Sequence, residues 1–179
     1  MRKLLLVVAL ALPLAGCPLD DVLKPTPSTG TAPAAGGTTV TPATIGTFLS
    51  RIEAARGTAL TVAEKSQVTV AAQQTRNLLD GTQQKFLGAV GGTVGLDAAT
   101  IGLLFPSATQ PVSQPVVQKA LESKLGKKLS GYESTAVGAA TALRNNSLGS
   151  IKSGLASKVG SAVGLPGETI AAMLPLLGF

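Results

Sequence analysis

Histidine is absent from this 179-residue chain, cysteine occurs once, and aromatic side chains make up 3% of it. Without histidine the chain lacks the side chain that titrates near neutrality unaided and is the commonest metal ligand. The carboxylates Glu53, Glu64, Asp80, Asp97, Glu122, Glu133 and Glu168 form no metal-ligand cluster in sequence, as a metal centre or a catalytic constellation would require. An acid and base pair assembled by folding is the one remaining route to catalysis, and nothing in the spacing calls for it. The expectation is therefore a protein that is not an enzyme, with no catalytic residues, no metal and no cofactor. With so few aromatics to stack on bases, nucleic acid is not an expected partner.

What is present begins at the N-terminus. Arg2 and Lys3 precede an apolar stretch from Leu4 to Leu12, and Leu14-Ala15-Gly16 leads small residues up to the single cysteine, Cys17. A charged start, an apolar middle and small residues before a cleavage point are the three parts of an export signal. Leu4 to Gly16 is interrupted by Pro13 and falls short of the roughly 20 residues a spanning helix needs. Leu14-Ala15-Gly16-Cys17 resembles the bacterial lipobox. That resemblance implies removal of residues 1–16 as a signal peptide and attachment of a diacylglycerol to the thiol of Cys17, making it the first residue of the mature chain. The alternative is a cleaved, unlipidated secreted protein, which would carry an unpaired thiol outside the cytoplasm. With two or three acyl chains at about 0.8 kcal/mol per buried methylene, such an anchor is effectively permanent. The expected location is the cell envelope, lipid-anchored to a bacterial membrane. Inner and outer membrane stay open, because Pro18-Leu19-Asp20 has no reading that holds across bacteria.

Loss of Arg2 and Lys3 leaves 13 basic and 9 acidic residues, a net +4. Much of the excess lies late: Lys119, Lys124, Lys127, Lys128, Arg144, Lys152 and Lys158 face only Glu122, Glu133 and Glu168. Lys124, Lys127 and Lys128 form a candidate interaction patch for an envelope protein or an anionic envelope polymer, since each lysine near a negative surface contributes on the order of 1 kcal/mol. An ordinary solvated surface is the plainer alternative.

Residues 17–41 read as a tether. Pro18, Pro25, Pro27 and Pro33 alternate with Thr, Ser, Gly and Ala, and no apolar period could bury a face. Such a linker reaches roughly 25 to 30 Å.

Residues 42–179 are expected to fold as an all-α, six-helix domain made of two tandem three-helix repeats, residues 42–106 and 111–175, at an offset of 69. In one ungapped register the offset pairs Glu53 with Glu122, Gly57 with Gly126, Leu60 with Leu129, Glu64 with Glu133, Val68 with Val137 and Ala71 with Ala140. The register continues through Asn77 and Asn146, Leu79 and Leu148, and Val90-Gly91 and Val159-Gly160. It then takes in Val94-Gly95-Leu96 and Val163-Gly164-Leu165, Thr100-Ile101 and Thr169-Ile170, and Pro106 and Pro175. Sixteen matches that include the punctuating glycines and prolines argue for a duplicated unit.

Within each unit the first helix starts at an N-cap and proline, as in Thr41-Pro42, and stops at Gly57. Thr61-Val62-Ala63-Glu64 and Ser130-Gly131-Tyr132-Glu133 are capping boxes that open the second helix. Apolar positions from Val68 to Val90, and from Val137 to Val159, keep one face for some 25 residues and predict one long helix in each unit. Asp80-Gly81 and Asn145-Asn146 are the points where a kink or break is expected if there is one. Short third helices follow Gly95 and Gly164, from about Asp97 to Phe105 and Pro166 to Leu174, closed by Pro106 and Pro175. Phe48, Phe86 and Phe105 become Val117, Leu155 and Leu174 in the second copy, so the second unit is expected to have the smaller private core and to pack on the first.

Gly88 with Gly92, Gly91 with Gly95, and Ala156 with Gly160 and Gly164 place small residues four apart, which permits close approach of helix backbones. The apolar tail from Ile170 to Phe179 is too short to span a membrane and is expected to fold back on the bundle. Leu60-Thr61-Val62-Ala63-Glu64 and Leu129-Ser130-Gly131-Tyr132-Glu133 resemble the Leu-Thr-x-x-Gln signature of Spy/CpxP-type periplasmic helical proteins, with glutamate in place of glutamine. Two functions follow. The first is a non-enzymatic structural or protein-interaction lipoprotein of the envelope. The second, implied by that resemblance, is a chaperone-like or small-ligand-binding helical lipoprotein, which needs a concave apolar surface between the units.

Overall fold

A computed structural model describes residues 40–179. The signal peptide, the lipidation site Cys17 and the tether as far as residue 39 lie outside the described residues. The rest is all-α with six helices: α1 (Pro42–Arg56), α2 (Val62–Val94), α3 (Ala98–Leu104), α4 (Gln114–Leu125), α5 (Gly131–Val163) and α6 (Gly167–Ala171). A 3-10 turn at Leu174–Leu177 closes the chain. No strand occurs among the described residues.

Helices α2 and α5 are each 33 residues long and are built by the same local chemistry. The Thr61 hydroxyl accepts from the Glu64 amide at 3.2 Å, and the Glu64 carboxylate accepts from the Thr61 amide at 2.7 Å. Ser130 and Glu133 repeat both bonds at the same distances. At the other end Gly95 and Gly164 adopt left-handed φ of 72° and 70°, and the amides of Leu96 and Leu165 return to the carbonyls of Gly91 and Gly160 at 3.0 Å. This six-to-one closure satisfies carbonyls that the helix end would otherwise strand. It also fixes why position 91 is glycine: an added Cβ would collide with the Leu96 carbonyl. At Gly160 the same methyl would stand 2.7 Å from the Leu165 carbonyl oxygen and 3.3 Å from Gly167 in α6. By contrast Gly88 and Gly92 face open space. The small-residue spacing thus serves the helix-end turns and the α5–α6 approach.

Both long helices run unbroken through the two expected weak points. Short polar side chains disturb a helix when they bond to its own backbone, and neither does so here. Asp80 pairs with Arg76 one turn earlier at 3.0 Å. Asn145 turns outward and clamps the backbone of Val112, accepting from its amide at 3.2 Å and donating to its carbonyl at 2.7 Å. That clamp holds Val112 out of helix, so α4 starts at Gln114 rather than at Pro111, the position matching Pro42.

The expectation of a private core for each unit is wrong. Helices α2 and α5 lie antiparallel, and two hydrophobic cores form along them from crossed halves. The first joins Ile45, Phe48 and Ile52 of α1 and Val68, Ala72 and Leu79 of early α2 to Leu148, Leu155, Val159 and Val163 of later α5, with Ile170, Leu174, Leu177 and Phe179. The second joins Phe86, Leu87, Val90 and Val94 of late α2, with Ile101 and Phe105, to Val117 and Leu121 of α4 and Val137 of early α5. The crossing also balances volume. Phe48 shares its core with Leu155 and Leu174, whereas Phe86 and Phe105 meet edge to face with centroids 6.0 Å apart beside the smaller Val117.

The tail folds back as expected, with Leu177 and Phe179 buried in the first core. Pro175 does not close α6, which ends at Ala171. It sits in the first turn of the 3-10 segment, where its missing amide costs nothing.

Candidate functional site

The carboxylates hold turns together. Glu53 accepts from the Leu60 amide at 2.9 Å and from Lys65 at 2.9 Å, while Glu122 accepts from the Leu129 amide at 3.1 Å and from Lys128 at 3.1 Å. Each ties the end of a first helix to the start of the next. Glu64 pairs with Arg56 at 2.6 Å and Glu133 with Lys127 at 3.7 Å, in addition to their capping roles. Asp97 caps α3 through the Thr100 amide at 2.8 Å. All five are held below the usual carboxylate range. The Lys65 hydrogen bond leads for Glu53, and the amide of Thr61, Thr100, Leu129 or Ser130 leads for Glu64, Asp97, Glu122 or Glu133 respectively. A general acid for neutral pH needs a carboxyl shifted the other way. No three His, Cys, Asp or Glu among the described residues are grouped to hold a metal ion.

The lysine patch is brought together and largely neutralised. Lys124, Lys127 and Lys128 are all exposed at the end of α4 and in the turn after it. Lys127 and Lys128 are ion-paired with Glu133 and Glu122. Lys124 remains without a charged partner among the described residues, in the last turn of α4, where a cation suits the helix dipole.

Sequence reasoning missed a buried polar cluster on α5. Arg144, only 2% exposed, stands on the inner face of α5. Its Nε donates to Gln83 Oε1 at 2.8 Å, one terminal nitrogen to the Gln110 carbonyl at 2.9 Å, and the other to the Ser107 carbonyl at 2.6 Å. The guanidinium also lies over the Phe86 ring, 5.2 Å from its centre. Gln83 in turn donates to the Phe105 carbonyl at 2.6 Å, and Lys152 donates to the Thr109 carbonyl at 2.8 Å. Two cations from α5 thereby grip the segment joining α3 to α4 by three backbone carbonyls, with no carboxylate in the cluster. Desolvation lowers the pKa of both, and the Arg144 charge adds to the effect at Lys152. The signal was available: Val137, Thr141, Arg144 and Leu148 fall on one helical stripe, so a charge at 144 faces inward.

The other feature is an uncovered face. Helices α1 and α3 pack on α2, and α4 and α6 on α5, but none of them contributes a residue to three clefts that follow one another along the α2–α5 seam. Gln67, Val70 and Ala71 face Lys158 and Ala162 in the first, of about 480 Å³. Gln74 and Leu78 face Ser150, Ile151 and Gly154 in the next, of about 340 Å³. Thr82, Lys85 and Ala89 face Ala140, Leu143 and Ser147 in the last, of about 280 Å³, whose floor includes Phe86 and Arg144. Lys158 bridges the seam to Gln74 at 3.1 Å. The charged residues lining the row are Lys85, Arg144 and Lys158, and no carboxylate lines it. A further open hollow between α5 and α6 is walled by Ser153, Ser157, Ser161 and Glu168.

No family model, curated protein or solved structure matches this chain. No single helix among the described residues is long and apolar enough to cross a membrane. Helices α2 and α3 pass that test only as a pair bent by 110°.

Proposed function

We propose that this protein is a non-enzymatic lipoprotein of the bacterial cell envelope, anchored through Cys17, whose helical body plays a structural or protein-interaction role beyond a Pro/Thr/Gly/Ala-rich linker. The observation that carries the reading is Leu14-Ala15-Gly16-Cys17 after a short apolar leader. The folded part supports it in two ways. Of its seven described carboxylates, Glu53, Glu64, Asp80, Asp97, Glu122 and Glu133 are engaged in caps, turns or ion pairs, and Glu168 stands apart from them on α6. The two cores fill the interior shared by the halves, whereas a carrier of unfolded chains would need a large apolar hollow there. Contact with an envelope component through Lys124, Lys127 and Lys128 is part of the proposal, with Lys124 as its free charge. Metabolic labelling with a fatty acid tests the anchor: label is expected on the native chain and lost in Cys17→Ser. Equal labelling of both refutes it. Crosslinking in intact cells, with the three lysines changed to glutamate, tests the contact: one stoichiometric partner should disappear.

A further inference from the structure

We propose that the uncovered face of the α2–α5 pair docks on an anionic lipid bilayer, laying the two long helices flat on the membrane that anchors the chain. The proposal rests on the lipoprotein reading above. Three observations carry it.

The first is charge. Lys85 and Lys158 stand toward opposite ends of the row of clefts, and no carboxylate lines any of the three. A second copy of the chain stacked on this face would bring lysines onto lysines with no acid to answer them, so self-association is disfavoured. A surface of uniformly negative headgroups answers both. The second is the apolar content. Val70, Leu78 and Leu143 are 46%, 58% and 69% exposed and recur along the seam, at a level where flanking lysines keep their ammonium groups among the headgroups. The third is relief. Between these side chains the clefts are lined by the small residues Ala71, Ala89, Ala140, Ser147, Ser150 and Gly154. This is shallow ground without the deep, desolvated pocket that a protein partner's anchor residues fill. A linker of the length expected from the sequence would have a root-mean-square reach of roughly 25 to 30 Å, and confinement on that scale makes a weak contact effective.

Each lysine near an anionic surface is worth about a 5.4-fold gain in binding, so the pair contributes about thirtyfold. The test uses the full chain with Cys17→Ser and one new cysteine, at Leu143→Cys or Ser150→Cys, carrying an environment-sensitive dye. A third preparation places the dye at Leu103→Cys on α3, where Leu103 is exposed but off this face. On titration with phosphatidylglycerol–phosphatidylethanolamine vesicles the dyes at 143 and 150 should shift to the blue, with little change in pure phosphatidylcholine and none at 103. Lys85→Gln with Lys158→Gln should raise the lipid needed by about thirtyfold. The proposal is overturned if 143 and 150 stay in water, if 103 responds equally, or if the two lysines make no difference. It is also overturned if protein concentration alone, or an acidic polypeptide such as polyglutamate in preference to vesicles, produces the shift. Flotation of the native chain with cell membranes is read separately. Its loss would sink the anchor while the titration still decides the face.

Discussion

Cutting the chain between Gln110 and Pro111 separates the two halves that the 69-residue offset aligns without removing a residue, and the crossed cores dictate the outcome. Leu148, Leu155, Val159, Val163, Ile170, Leu174, Leu177 and Phe179 all come from the second half and complete the first core. At about 1.5–3 kcal/mol for each large apolar side chain buried, these eight supply about 12–24 kcal/mol, an upper bound because unfolded chains already bury some surface. Even the lower figure matches the whole stability of a typical domain, about 5–15 kcal/mol. Residues 40–110 or 111–179 alone should therefore lack a cooperative melt as a monomer. Mixed, they should form a one-to-one complex with the helicity of the intact chain and a melting temperature that rises with concentration, as association requires. Circular dichroism with analytical ultracentrifugation reads both. A fragment that folds cooperatively as a monomer would refute the crossed arrangement.

Arg144→Met should cost about 3–5 kcal/mol in urea unfolding, because it strips donors from three buried or half-buried acceptors; Arg144→Lys, which keeps charge without the planar fork, should fall between. Thr61→Ala and Ser130→Ala should cost about 1 kcal/mol each. The two caps open antiparallel helices about 50 Å long, so their effects should add in the double variant. Because Glu53, Glu64, Asp97, Glu122 and Glu133 are held below the usual carboxylate range in the folded protein, they add stability above their unfolded pKa values. That stability is lost as pH falls through the lowered folded values. Unfolding midpoints measured on acidification should drop in that window, and Glu53→Gln with Glu122→Gln should flatten the drop.

Local features were legible because local chemistry decides them. A hydroxyl three residues before a glutamate, repeated at the same offset, locates the starts of α2 and α5 to the residue, and Gly57, Gly95, Gly126 and Gly164 locate the ends. The pairing of halves was not legible. An offset of 69 says which residues are equivalent, and equivalence is the same whether each repeat packs on itself or across. The decision between them comes from the length of α2 and α5. A 33-residue helix spans two cores, and an antiparallel partner covers both. Pro175 was misread for a related reason: proline marks either the end of one helix or the first turn of the next, and only the packing of Leu174 and Leu177 selects the latter.

The surplus of positive charge in the second half shows how composition and surface part company. Seven cations counted together suggest a basic face. In the fold Arg144 and Lys152 turn inward to hold the carbonyls of Ser107, Thr109 and Gln110, and Lys127 and Lys128 answer the glutamates of their own turn. The equivalent positions in the first half explain the excess: Thr75 stands where α5 has Arg144, and Gln83 where it has Lys152. Arg144 and Lys152 grip the segment that joins α3 to α4, and at those two positions the match between the halves is broken. What remains for a partner is therefore set less by the number of lysines than by where acids are missing. By that measure the open side of α2 and α5, with two exposed lysines and no carboxylate along its clefts, is a better-defined electrostatic surface than the lysine cluster at the end of α4.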